Sequence, residues 1–239
     1  MMKLRLLGVN GPFPESRGAT SGYLLEAGEN LFQFDLGSGV LGLLTAYTAP
    51  ESLTALFLSH WHFDHAADVP VLMYRLQAAS QTLRVYGPAD PESPLYRLVC
   101  TVPCFEFREV SAGEDLSFGG AAVHVTAARH PVPAVGYTVS CEGKKFGYTG
   151  DTNTLPSLAR DYQGCDLLLA DGLFPRASWA EEKPHLSAEL AARLAAEASV
   201  GTLVVTHLNP FFPRRVLLAE ARAVHQKTVL AEAGAAFGL

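Results

Sequence analysis

Leu58-Ser59-His60-Trp61-His62-Phe63-Asp64-His65 places three imidazoles and a carboxylate within six residues, at the end of the apolar run Leu53 to Leu58. With 8 histidines in 239 residues, chance would produce this pattern in roughly 3 of 10,000 sequences of the same composition. A strand entering the segment points residues i and i+2 to one side, which pairs His60 with His62. A turn into a helix then presents Asp64 and His65 to a neighbouring point, an arrangement that suits two adjacent metals better than one. Imidazole with carboxylate favours Zn²⁺, and Mn²⁺ or Fe²⁺ are compatible with the same donors. Helical character continues from Asp64 to Ala79, with Val69, Leu72, Met73 and Leu76 on one face.

Working outward, two metals need more than these four donors. His130 follows a strand ending at Ala127, Asp151 stands in Tyr148-Thr149-Gly150-Asp151-Thr152, and His207 closes Thr202 to Thr206, read as the final apolar strand. Each lies where a sheet edge meets a loop, the usual place for a site in an α/β fold. Lys3 to Val9, Ser21 to Ala27 and Leu31 to Leu36 read as strands, the last two joined by a turn at Gly28-Glu29-Asn30. A second series covers Leu83 to Tyr86, Phe105 to Val110, Ala121 to Ala127, Gly136 to Ser140, Lys145 to Thr149 and Cys165 to Ala170. Ser187 caps a helix reaching Ala198, and His225 is assigned to a C-terminal helix. No repeat or linker divides the chain, so residues 1–239 are expected to form one domain of α+β (α/β) type.

A net charge of −6 gives no basic face for long nucleic acids, though bound metals would add local positive charge for small anions. Cys100, Cys104, Cys141 and Cys165 form no Cys-x-x-Cys pair and are expected to be buried and reduced; the spacing of Cys100 and Cys104 is compatible with one helical turn. There is no charged-then-apolar leader and no window of about 20 apolar residues, so a cytoplasmic location and no membrane partner are expected. His124 and the C-terminal His225 read as structural. Arg214 and Arg215 read as a solvated pair, with anion binding as the alternative. Trp61 and Phe63 are placed beside the site, and Trp179, in the loop Leu173 to Pro184, is a candidate for its roof.

The whole chain resembles the metallo-β-lactamase-fold hydrolases, whose signature is His-x-His-x-Asp-His followed by a further His, Asp and His. Within them it looks most like the tRNase Z-related and phosphodiesterase-like branch. The resemblance rests on Gly11-Pro12-Phe13-Pro14, Asp35-Leu36-Gly37-Ser38-Gly39, Leu58 to His65, Arg129-His130-Pro131, Tyr148 to Thr152, His185-Leu186-Ser187-Ala188 and Thr206-His207-Leu208. It implies a four-layer αβ/βα sandwich with the site along one edge. It also implies one metal on His60, His62 and His130, another on Asp64, His65 and His207, and Asp151 bridging them. Asp35 would orient a histidine by hydrogen bond without binding metal.

The implied reaction is hydrolysis by a hydroxide shared between the metals, with Asp64 holding that hydroxide and His185 donating a proton to the leaving group. The flavodiiron branch carries Glu where His62 stands, which argues against redox chemistry. tRNase Z enzymes insert a glycine-rich basic arm after the third metal-binding region; here about twenty residues separate His130 from Asp151 and read as one hairpin. The expected activity is therefore a phosphodiesterase acting on small phosphodiesters. The alternatives are hydrolysis of carboxyl esters, sulfate esters, lactones or thioesters, tRNA 3′ processing, and a non-catalytic metal-binding protein. Analogy with the branch adds a homodimer.

Overall fold

The structure is a computed structural model and describes residues 1–239. In the first half, strands β1 (Met2–Gly8), β2 (Gly22–Ala27), β3 (Asn30–Phe34), β4 (Ala55–Phe57), β5 (Leu83–Gly87) and β6 (Phe105–Glu109) alternate with helices α1 (Val40–Leu44), α2 (Phe63–Ala66), α3 (Val69–Ala79) and α4 (Pro94–Thr101). The second half has β7 (Asp115–Phe118), β8 (Ala121–Ala127), β9 (Val135–Cys141), β10 (Lys144–Tyr148), β11 (Leu167–Asp171), β12 (Thr202–Thr206), β13 (Thr228–Leu230) and β14 (Ala236–Gly238). Its helices are α5 (Leu158–Asp161), α6 (Ala188–Glu197) and α7 (Arg214–Val224).

Two seven-stranded sheets result, in the orders β14-β1-β2-β3-β4-β5-β6 and β13-β12-β11-β10-β9-β8-β7. Both change from antiparallel to parallel pairing midway, the first between β3 and β4 and the second between β10 and β11. Parallel strands are covered on both faces, which is why β11 (Leu-Leu-Leu-Ala-Asp) is an almost unbroken apolar run. Between the sheets Phe32, Phe34, Phe57, Phe118, Tyr137 and Phe146 pack ring against ring, with centroids 5.1–5.7 Å apart in the contacts of Phe32 with Phe118 and Phe34 with Phe146. Leu36, Val40, Leu72, Leu76 and Val99 form a separate core between the first sheet and α1, α3 and α4. The α+β sandwich expected from the resemblance is therefore present, and no helix is long and apolar enough to cross a membrane.

Several sequence expectations are corrected. The stretch Asp64 to Ala79 is two helices, because Pro70 in the first turn of α3 has no N–H to continue the ladder from α2. Thr202 to Thr206 is not the last strand; β13 and β14 follow, and β14 crosses back to pair with β1. Cys100 is exposed, and α4 ends at Thr101, so Cys104 is not one helical turn away. His225 caps α7 and lies outside it. As expected, Ser187 Oγ accepts from Leu190 N at 3.2 Å and caps α6.

Candidate metal centre

β4 ends at Phe57 and releases Leu58-Ser59-His60 into a loop at the carboxyl edge of the first sheet. His62, extended at φ −65° and ψ 151°, starts α2, so His60 and His62 still face one side while Asp64 and His65 ride the helix. Two backbone bonds fix that helix: Ser21 N donates to Asp64 O (3.0 Å) and Leu36 N to His65 O (2.7 Å). His130 arrives from the loop after β8. His60 Nε2 and His62 Nδ1 lie 3.0 Å apart, and His62 Nδ1 and His130 Nε2 3.2 Å apart. These three imidazoles form the first donor cluster.

The second cluster is Asp64, His65, Asp151 and His207. His65 Nε2 lies 3.3 Å from His207 Nε2 and 3.2 Å from Asp151 Oδ2, and Asp64 Oδ2 is 3.1 Å from His207 Nε2. Asp151 Oδ2 also reaches to 3.8 Å from His60 Nε2, so it stands between the clusters. His207 has φ of 57°, a left-handed conformation that an L residue holds only when its surroundings enforce it. Gly11 explains part of that enforcement: a Cβ there would overlap the His207 ring.

The donor set fits metal ions. Three imidazole nitrogens aimed at one point cannot all be satisfied by protons, because each hydrogen bond joins only one pair. A cation satisfies all three. Their separations match the spacing of about 3.3 Å expected for two ligands on one tetrahedral ion of zinc size. In the metal-free chain burial holds His60 well below the ordinary histidine pKa, and lowers His62 and His130. These imidazoles are neutral and ready to coordinate. His65 is also buried, yet Asp151, Asp64 and Asp35 outweigh that and hold it well above the ordinary value. Burial works against ionised Asp151, but His207, His65 and His185 keep its carboxyl well below the usual range.

The family model for the beta-lactamase superfamily domain matches residues 16–208. The chain belongs to that superfamily. This superfamily member is 30% identical over 229 residues to a probable metallo-hydrolase, YhfI of Bacillus subtilis (strain 168), covering 93% of each chain. The crystal structure of that metallo-beta-lactamase fold protein superposes with a TM-score of 0.93 over 99% of this chain and 98% of the other. A ribonuclease Z of Methanosarcina acetivorans is 24% identical over 294 aligned positions, covering 97% of this chain and 96% of the relative. A diphosphatase of the PhnP family shares the fold, with a TM-score of 0.78 at 16% identity over 100% and 98% of the two chains. The protein is thus a metallo-hydrolase of the beta-lactamase superfamily, with a His/Asp cluster able to bind metal ions.

All seven sequence-predicted donors of this superfamily hydrolase converge, and His185 joins them: its Nδ1 lies 3.7 Å from Asp151 Oδ2. Asp171, which sequence reading missed, is the residue that positions it. Asp171 Oδ2 is 2.9 Å from His185 Nδ1, and the same carboxylate accepts from Thr152 N and Leu173 N at 3.2 Å. Burial disfavours charge on His185, but Asp171 and Asp151 together push its pKa up to about 9. The signal for Asp171 was available, since it ends the buried run Cys165 to Ala170 as His207 ends its own. Asp35, at φ 53°, accepts from Ser59 N (2.7 Å), Ser59 Oγ (2.8 Å), Tyr148 Oη (2.5 Å) and His65 Nδ1 (2.7 Å). That is the orienting role expected of it.

The remaining candidates fall outside the centre. Arg214 is tied to Glu15 and to Ala231 O, and neither it nor Arg215 has a contact with the donor clusters. His124 bonds Asp115 at 2.8 Å, and His225 bonds Val200 O and Thr228 Oγ1. Trp179 Nε1 donates to His185 O at 3.0 Å, pinning the Leu173 to Pro184 loop to the segment that carries His185. Trp61 is buried with Nε1 on Pro88 O at 2.7 Å, whereas Phe63 is exposed.

Proposed function

We propose that this hydrolase is a phosphodiesterase acting on small phosphodiesters. It would use two divalent cations, Zn²⁺ by preference of the donors, held by His60, His62 and His130 and by Asp64, His65 and His207, with Asp151 bridging. The observation that carries this reading is the meeting of the two donor clusters at Asp151, with His185 held beside them by Asp171. Because donors come from both halves, we read residues 1–239 as one hydrolase domain.

The cations, when bound, supply Lewis acidity toward the phosphoryl oxygens and lower the pKa of an attacking water toward 7. The chain's own residues do the rest. Asp64, whose side chain is the more exposed of the two central carboxylates (10% against 3% for Asp151), accepts a hydrogen bond from the attacking water and orients it. Asp171 accepts from His185 Nδ1, which leaves Nε2 to donate a proton to the departing ester oxygen. One hairpin, β9–β10, fills the interval between His130 and Asp151, so the cleft has no basic arm for a tRNA. The ribonuclease Z alignment runs over 294 positions against a chain of 239 residues, so that relative has segments with no counterpart here. A diphosphatase and a ribonuclease among the relatives favour phosphorus over carboxyl esters.

The test is turnover of bis-p-nitrophenyl phosphate set against a panel of lactones, thioesters, carboxyl esters and sulfate esters, using protein loaded with Zn²⁺, Mn²⁺ or Fe²⁺. Phosphodiester turnover should dominate, and His185→Ala should lower turnover of a diester with an alkyl leaving group by about 10²–10⁴-fold, while p-nitrophenolate, which leaves without a proton, is affected less. Faster turnover of a lactone or thioester would move the assignment to carboxyl chemistry. No turnover of any ester, with His185→Ala inert, would reduce the centre to a binding site.

A further inference from the structure

A cavity of about 250 Å³ opens beside His62, and none of the steps above uses it. It lies among three loops, those following β4, β5 and β8. Trp61, Phe63 and Val132 give it apolar walls, Asp90 and Ser93 bring polar atoms, and His62 closes the end nearest the metal centre. Phe63, 65% exposed, is free to stack against an occupant.

Asp90 is the informative residue. It is only 8% exposed, and its backbone carbonyl accepts from Ser93 N at 2.9 Å, yet its carboxylate has neither a hydrogen bond nor an ion pair. Local structure does not need that carboxylate. The first turn of α4 is capped by Ser93 Oγ, which accepts from Tyr96 N at 3.4 Å, and Arg97 is engaged by Glu92 at 3.7 Å on the rim. With no protein donor on it, the carboxylate is free to accept a charge-assisted N–H bond from a ligand in the cavity. Glu92 also lines the cavity, but its carboxylate is exposed and paired with Arg97, so among the apolar walls Asp90 is the sheltered acceptor for a compact organic group with a donating end.

The geometry points to a substrate subsite in this cavity that selects a phosphodiester whose ester group ends in an N–H donor, with Asp90 as the acceptor. The donor is a protonated alkylamine or the neutral amino group of a nucleobase; the two share an N–H donated to Asp90, and the substrate pairs below tell them apart. This inference rests on the phosphodiesterase reading and adds the class of group that reading leaves open.

Two matched pairs of substrates test it on metal-loaded protein: p-nitrophenyl 2-aminoethyl phosphate against its isosteric propyl counterpart, and the 5′-(p-nitrophenyl phosphate) esters of cytidine and uridine. The amino member of at least one pair should be preferred by about tenfold or more in kcat/KM, and the preferred pair identifies the source. Asp90→Asn should bring that ratio close to one, while Asp90→Glu, which keeps the charge, should retain part of it. Ratios near one in both pairs, or a preference that D90N leaves intact, would overturn the subsite while the phosphodiesterase reading stands. If no phosphodiester is turned over, that reading falls and binding decides the subsite. Ethyl (2-aminoethyl)phosphonate should then bind about tenfold more tightly than its isosteric propyl counterpart by calorimetry, with D90N removing the difference. Equal affinities would end the proposal.

Discussion

His60, His62 and His130 meet without a carboxylate of their own, and His62 and His130 lie partly in water; Asp64, His65, Asp151 and His207 bring two carboxylates into a more buried point. The groups behind the imidazoles differ in the same sense. His60 Nδ1 lies 3.1 Å from the Ser59 hydroxyl and His130 Nδ1 3.3 Å from Pro184 O, both neutral partners, whereas His65 Nδ1 is held by the Asp35 carboxylate at 2.7 Å. A carboxylate behind an imidazole raises its basicity and its strength as a ligand. With metals bound as proposed, the difference predicts that the second cluster is the tighter site and the first the more exchangeable one, with Asp151 coupling them.

Asp151→Ala attacks that coupling and should have the largest effect. It removes the one donor that reaches both clusters, at 3.2 Å from His65 and 3.8 Å from His60, so turnover should fall by about 10³-fold or more. Metal analysis should find both sites depleted. If one ion per chain remains at full affinity, the clusters are independent and the comparison above is wrong. Asp35→Asn is the next step down. It exchanges the carboxylate behind His65 for an amide, and should weaken the second site by about 10–100-fold while sparing the first. The measurement is metal content after dialysis against graded chelator.

Protons give a third and subtler reading. In the metal-free chain burial keeps the first cluster's imidazoles below their ordinary pKa, while carboxylates hold His65 above it in spite of burial. The first site's imidazoles are therefore held toward the neutral form before metal binds, and His65 of the second toward the protonated form. Titration of the metal in buffers of different ionisation enthalpy should show more proton release with the tighter event than with the weaker. On acidification the first site is disturbed only after the pH falls below the lowered values of His60, His62 and His130. The second competes with protons already near neutrality.

Much of this asymmetry was legible in the sequence, because donors of the right type stand at the ends of apolar runs. His60, Asp151 and His207 each follow such a run, whereas the division of the donors between two metals and the orienting role of Asp35 were implied only by the family resemblance. Asp171 carried the same mark and was passed over, since an aspartate before a glycine also reads as an ordinary turn. Asp90 carried no mark at all. It sits in Pro88-Ala89-Asp90-Pro91, a stretch with every local feature of a solvent loop, and only tertiary packing buries it. The break between α2 and α3 was signalled by Pro70 but masked by the continuous apolar face around it. β13 and β14 have three residues each, too few to establish an alternation, and β14 owes its existence to pairing with a strand more than 200 residues earlier.

The smallest change addresses the hydroxyl that touches both clusters. Ser59 Oγ donates to Asp35 Oδ2 at 2.8 Å, so its lone pairs face His60 Nδ1 at 3.1 Å and His65 Nδ1 at 3.3 Å. For His60 this is the partner that places the proton on Nδ1 and leaves Nε2 free to bind metal. His65 does not depend on it, because the Nδ1 proton goes to Asp35. Asp35 itself keeps Ser59 N and Tyr148 Oη after the hydroxyl is gone. Ser59→Ala should therefore lower affinity at the first site by less than about tenfold, the worth of one neutral hydrogen bond, and leave the second nearly unchanged. Chelator titration with two resolved transitions is the check. A larger loss at the second site would mean that Ser59 acts through Asp35, and that the two clusters share their support as well as their bridge.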